Sequence, residues 1–179
     1  RSLRGYESFT SVAATAEATT MEDHSVDFVA AGQAFHWFEP GRARTEFIRI
    51  LRPGGWTVLV WNTRRGQGKR ALFLQAYERL LDTYGTDYGE VGHGRHGSQE
   101  EVRAFFAPSP FEAATFDNRQ VLDLCGLKGR LLSSSYVPAE GEPNSAEMLR
   151  DLERTFHEHQ ENGAVTIEYD TRVYYGRLW

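Results

Sequence analysis

Two short apolar runs, separated by one helix-length segment, constrain this chain more than anything else in it. Val26 to Ala31 and Thr57 to Trp61 lack sustained polar alternation, the pattern of parallel strands buried on both faces. Between them Pro40 stands at the first position of a helix whose Ala43, Phe47, Ile50 and Leu51 fall on one stripe, and Pro53-Gly54-Gly55 is expected to end it. Strand, helix and strand make a βαβ unit. Ligands of open α/β sheets collect beyond the carboxyl ends of the strands, so Gly32, Gln33, His36 and Trp37 occupy the position of a candidate site.

The remaining segments fill in around this unit. Phe9 to Ala13 alternates apolar and small polar residues and is predicted as a strand leading into Thr15-Ala16-Glu17. "MEDHS", residues 21 to 25, is a polar turn that leaves His24 solvated. After Trp61, "NTRRGQGKR" lacks the spacing of a phosphate-binding loop and reads as a flexible, solvated loop. Phe73, Tyr77, Leu80, Leu81 and Tyr84 recur at helical spacing over residues 69 to 84, stopped by Gly85. Residues 85 to 97 hold five glycines and two histidines without periodicity, a functional or unstructured loop. Ser98 with Glu101 forms a capping box for a helix with Val102, Phe105 and Phe106 on its apolar face, ended by Pro108 and Pro110. Phe111 to Leu122 reads as a strand and Leu124 to Tyr136 as a helix followed by a turn. Asn144 with Glu147 opens another helix, with Leu149, Leu152 and Phe156 inward and Asn162-Gly163 closing it. The end, "AVTIEYDTRVYYGRLW", is rich in β-branched and aromatic residues and is predicted as strand.

Composition excludes several classes. A net charge of -5 offers no general attraction for nucleic acid. No apolar run approaches the roughly 20 residues that span a bilayer, and no signal-peptide core is seen, so no membrane partner is expected. The single cysteine, Cys125, excludes an internal disulfide and suits a reducing cytoplasm. His93 with His96, and His157 with His159, have incomplete zinc spacing, and no metal is expected.

Three blocks carry a resemblance: the acidic "AEA" turn, the "QAFHWF" strand end, and "ILRPGG" leading into the next strand. In order and spacing, residues 15 to 62 resemble the class I S-adenosylmethionine-dependent methyltransferases, in particular the small-molecule group related to ubiquinone-biosynthesis and trans-aconitate methyltransferases. The resemblance implies an α/β fold: a Rossmann-like, mostly parallel sheet with an antiparallel C-terminal strand pair formed by residues 111 to 122 and 164 to 178 at the sheet edge. The family's first strands and Gly-rich turn have no counterpart before Thr15. The expectation is therefore a single, N-terminally incomplete methyltransferase domain over residues 1 to 179, with residues 123 to 162 a helical insertion or cap. In the family the first strand lies beside the one at Val26 to Ala31. That edge is accordingly expected to be covered, by a second copy in a homodimer or by further residues of a longer protein.

The implied function is transfer of a methyl group from S-adenosylmethionine to a small molecule, with a non-catalytic methyltransferase-like binding module as the alternative. An oxidoreductase would need fingerprint glycines that are missing here. By the resemblance, Thr15, Ala16 and Glu17 hold the adenine, Thr15 standing where many relatives carry Asp, with a turn or capping role as the other reading of Thr15. Gly32 and Gln33 face the cofactor. Methyl transfer is an in-line displacement that needs positioning above all. For it Phe35 and Trp37 offer faces on which a cation can rest, and His36 titrates in the range useful for a base. Each has a plain packing alternative. Arg130, Tyr136, Tyr169 and Arg172 are candidates to select an anionic substrate, with surface solvation or strand pairing as the other explanation.

Overall fold

The computed structural model describes residues 5–65, 68–86 and 98–179. Its elements are β1 (Val26–Gly32), a 3-10 turn (Phe35–Trp37), α1 (Pro40–Ile50), β2 (Leu51–Arg65), α2 (Lys69–Tyr84), α3 (Gln99–Phe106), β3 (Phe111–Leu122), α4 (Leu124–Leu132), α5 (Ser145–His159) and β4 (Val165–Gly176). The strands form one mixed sheet in the order β1-β2-β4-β3. β1 and β2 are parallel, Ala31 opposite Leu59 and Gly32 opposite Val60, as a βαβ crossover requires. Tyr169 bonds Gln120 while Tyr175 bonds Glu112, and Thr171 bonds Asn62 while Tyr175 stacks near Trp56. Numbers that rise on one strand as they fall on the other make β4 antiparallel to both β3 and β2, so the expected antiparallel C-terminal pair is present. β4 itself is interior, and β3 forms the edge.

The chain groups into two compact units. The first comprises residues 1–60, 97–114 and 173–179; the second comprises 61–96 and 115–172. In the first, Phe35, Phe47, Phe105 and Phe106 are all buried and meet edge to face, Phe35 on Phe105 at 4.9 Å and Phe47 on Phe105 at 5.9 Å. Arg44 straps this core. Its guanidinium donates to the carbonyls of Phe105 and Leu178 at 2.9 and 2.6 Å. In the second unit Phe73, Tyr77 and Leu81 of α2 pack with Leu127 and Leu131 of α4, Met148, Leu152 and Phe156 of α5, and Val165, Ile167 and Tyr169 of β4. Residues 123–162 contain α4 and α5, and α5 buries one apolar stripe as its spacing predicts. Among the described residues no helix is long and apolar enough to cross a membrane.

Several sequence expectations are corrected. β1 is not buried on both faces: it ends the strand order, and Phe28 is 66% exposed. Phe9 to Ala13 is not a strand, because alternation supplies no partner and these residues lie exposed without a ladder. α1 ends at Ile50, before Pro53; Leu51 already pairs with Val26, and the next pair, Phe28 with Trp56, skips the Pro-Gly-Gly, which forms a bulge. Gly55 is obligatory there, since a Cβ would come within 3.0 Å of the Asp27 carbonyl. Asn62 to Arg65 are not a solvated loop but the end of β2, held by Asn62 accepting from Thr171 at 2.6 Å and Arg65 pairing with Asp170 at 2.9 Å. α5 closes at His159, and Asn162-Gly163 instead makes the turn between Glu161 and Ala164 that leads into β4. His93, His96 and most of the glycine-rich loop lie outside the described residues.

Candidate functional site

β1 delivers the chain to Gly32 and stops. The Gln33 N–H still donates to the Val60 carbonyl at 2.9 Å, but Gln33 adopts φ +54, a left-handed conformation that costs a non-glycine residue about 1 kcal/mol. The kink turns the backbone off the sheet, and one 3-10 turn follows, with Trp37 N–H to Ala34 and Phe38 N–H to Phe35. The alternation that would send Gln33 and His36 to opposite faces therefore does not apply. Phe35 is 2% exposed and wedged against Phe105 and Phe38, which makes it the anchor of the turn and not a face for a cation. Trp37, by contrast, is 62% exposed. The His36 ring is half-buried, 5.1 Å from that of Trp37. Gly32 is open, and a Cβ built on it would meet nothing within 4 Å.

The turn at Thr15-Ala16-Glu17 is riveted to the start of α1. Thr15 bridges Ala18 in a tight turn, and the Glu17 carboxylate accepts from the Glu39 N–H at 2.9 Å. That bond, the N–H of Glu17 itself and the Thr15 hydroxyl hold the Glu17 carboxyl below the usual carboxylate range. Glu39 in turn caps α1, accepting from Gly41 and Arg42 N–H at 3.1 and 2.8 Å. Two residues on, Thr19 donates through its N–H and hydroxyl to Glu46 at 2.8 and 2.6 Å. Arg49 grips the same carboxylate, and the Glu46 carboxyl is held down to about 2, by Arg49 first and then by Thr19. Thr15, Ala16, Glu17, Gly32, Gln33, His36 and Trp37 all belong to the first unit; Tyr136, half-buried, and Arg172, exposed, belong to the second.

Arg130 and Tyr169, already candidates from the sequence, belong to a polar cluster in the second unit whose Arg64 and Glu78 the sequence did not single out. The Arg64 side chain, 3% exposed, pairs with Glu78 and lies 5.2 Å over the Tyr77 ring. Arg130 lies 5.7 Å over the Tyr169 ring, and the Tyr169 hydroxyl donates to Gln120 at 3.0 Å. Burial pushes Tyr77 up to about 12 and raises Tyr169, against the pull of both arginines. No local feature of Asn62 to Arg65 marks Arg64 as buried. Among the described residues no group of three or more His, Cys, Asp or Glu side chains is arranged to hold a metal ion.

Residues 2–59 match the family model of the methyltransferase domain. An uncharacterized methyltransferase of Mycobacterium tuberculosis is 56% identical over 50 residues, which is 28% of this chain and 21% of that relative. An uncharacterized methyltransferase-like protein of Schizosaccharomyces pombe is 50% identical over 75 residues, 42% of this chain and 28% of that protein. The match thus spans between a fifth and a third of the length of these relatives. Among solved structures, a protein assigned as a type II methyltransferase from Anaeromyxobacter dehalogenans superposes with a TM-score of 0.63 at 23% identity, over 92% of this chain and 70% of that one. The fold is similar to that of this structure over 92% of the chain, and the sequence match includes the segment that builds the β1 tip. Residues 2–59 are thus similar in sequence to the methyltransferase domain, and 92% of the chain is similar in fold to a methyltransferase structure.

Proposed function

We propose that the protein transfers a methyl group from S-adenosylmethionine to a small molecule in the cytoplasm, at the tip of β1. The observation that carries this reading is the conjunction at that tip: an open Gly32, the left-handed Gln33, and the 15–17 turn tied through Glu17 and Glu39 to the segment just past Trp37.

The donor set fits the cofactor. Thr15 lends its hydroxyl hydrogen to Glu17, and its oxygen keeps lone pairs that can accept from an exocyclic amine. Ala16 and Glu17 contribute the turn backbone, and Gly32 lets a ligand approach the main chain where a side chain would stand. Gln33 offers an amide to the amino-acid portion. When bound, S-adenosylmethionine supplies an electrophilic methyl group on a sulfonium.

The chain's own part is mainly placement. Trp37 presents an exposed face to a cationic or apolar group, and the Phe35 anchor fixes its position. His36 takes the proton released by the acceptor as its nucleophilic atom is methylated.

Methyl transfer from labelled S-adenosylmethionine into a panel of small acids, phenols and amines tests the proposal, with Gln33→Ala as control. Turnover lost in Gln33→Ala at an unchanged melting temperature supports it. Cofactor binding with no transfer to any acceptor would favour the non-catalytic binding module.

A further inference from the structure

Residues 175–179 and the start of β3 build a pocket that lies wholly within the first unit. Tyr175, Arg177 and Trp179 line it at period-two spacing, as an extended chain directs them, while Gly176 and Leu178 between them are buried. The buried pair fixes the segment. Leu178 is 1% exposed and its carbonyl accepts from Arg44 at 2.6 Å. A Cβ on Gly176 would stand 2.9 Å from the Pro110 carbonyl, so only glycine lets the chain lie this close to the start of β3. Trp56 of β2, Phe111 and Glu112 complete the walls of a cavity of about 430 Å³, within the range of small-molecule sites. In the parallel pair Trp56 stands opposite Phe28 and Val60 opposite Gly32, so Trp56 lies roughly 13 Å along the strand from the β1 tip.

The two charges of this pocket are not spent on each other. The Arg177 guanidinium lies 5.0 Å over the Trp56 ring and has no carboxylate partner among the described residues. Glu112 accepts the Tyr175 hydroxyl on Oε2 at 2.7 Å, and its Oε1 has no partner there. Trp179, 48% exposed, stacks on no other ring among the described residues. One cation, one anion and a bare aromatic face therefore line a single cavity.

We infer that this pocket binds a free aromatic amino acid, with its carboxylate on Arg177, its ammonium group on Glu112 and its ring against Trp179. A carboxylate meets a guanidinium edge through two parallel hydrogen bonds, and a ring beneath the guanidinium occupies a face and leaves the edge clear. The ammonium is a donor-only group and meets the open oxygen of Glu112. A neutral aromatic molecule would leave both charges unanswered, and an aromatic anion would meet Glu112 as a like charge. Binding at this place is independent of the methyltransferase reading.

Calorimetry with L-phenylalanine as the probe tests this against controls that each lack one feature: 3-phenylpropionate the ammonium, phenethylamine the carboxylate, L-alanine the ring. Wild type should bind L-phenylalanine saturably and each control about tenfold more weakly or worse, since each forfeits a charge-assisted contact or the stacking surface. Arg177→Gln, Glu112→Gln and Trp179→Ala should each weaken L-phenylalanine by about tenfold at an unchanged melting temperature, because all of these side chains are exposed. Glu112→Gln keeps an acceptor for the Tyr175 hydroxyl, so its loss of affinity reports the charge, and it carries the test if another variant fails to fold. L-Phenylalanine affinity should be the same with and without saturating S-adenosylhomocysteine. No saturable binding of L-phenylalanine to wild type, wild-type affinity in Arg177→Gln and Glu112→Gln, 3-phenylpropionate binding as tightly as L-phenylalanine, or competition with S-adenosylhomocysteine would overturn the inference.

Discussion

The carboxylate of Glu17 accepts the backbone N–H of Glu39 at 2.9 Å, across 22 positions of sequence. Glu39 is itself the cap of α1, so one hydrogen bond joins the turn proposed to hold an adenine to the helix that follows the β1 tip. Replacing Glu17 by Ala removes the tether and leaves the cap intact. The expected result is weaker S-adenosylhomocysteine binding by about three- to tenfold, the range of a single net hydrogen bond, with a small change in melting temperature. Calorimetry and a thermal melt on the same sample check both parts.

Glu46 gives the fold an acid-sensitive joint. Arg49 and Thr19 hold its carboxyl at about 2, below the ordinary 4.5. Because the folded value is the depressed one, its contribution to stability is complete above about pH 4.5 and drains away as the pH falls toward 2. Glu46→Gln should therefore melt below wild type at neutral pH, and the gap should close in acid. A gap that holds constant down to the acid limit would show that the network contributes nothing through charge.

The edge of β1 carries Phe28 at 66% exposure. A strand edge bearing an exposed aromatic invites pairing with other chains. Phe28→Lys should lower apolar-dye binding and self-association while changing stability by no more than about 0.5 kcal/mol, as expected of an exposed position. Light scattering against concentration, for both proteins, is the measurement.

His36 and Trp37 are neighbours with separable roles. Loss of a general base costs about a hundredfold or more in turnover, so His36→Ala should depress kcat. Trp37→Ala, at a position 62% exposed, should raise KM for the acceptor and leave the melting temperature close to wild type. Equal falls in kcat and stability for His36→Ala would assign that ring to packing.

Much of this frame is legible before any coordinates. The helix over Lys69–Tyr84, the strand over Phe111–Leu122 and the Ser98–Glu101 capping box appear where periodicity and cap chemistry place them, because local rules decide these elements. What escapes the sequence depends on partners. Phe9 to Ala13 has strand-like alternation and no strand to pair with. Phe35 and Trp37 look equivalent in "QAFHWF", yet the 3-10 turn buries one against Phe105 and leaves the other in solvent. Arg64, three residues beyond the apolar run that ends at Trp61, gives no local sign that Glu78 and Tyr77 of α2 will bury it.

The most direct test of the central claim uses Gly32, where the fold has no need of glycine and the proposed ligand does. A Cβ there meets nothing within 4 Å, and a β-branched residue suits the end of a strand, so Gly32→Val should fold and melt like wild type. Calorimetric titration with S-adenosylhomocysteine should then show binding to wild type and its loss, by tenfold or more, in Gly32→Val. Equal affinity in the two proteins would contradict the placement of the cofactor at the tip of β1.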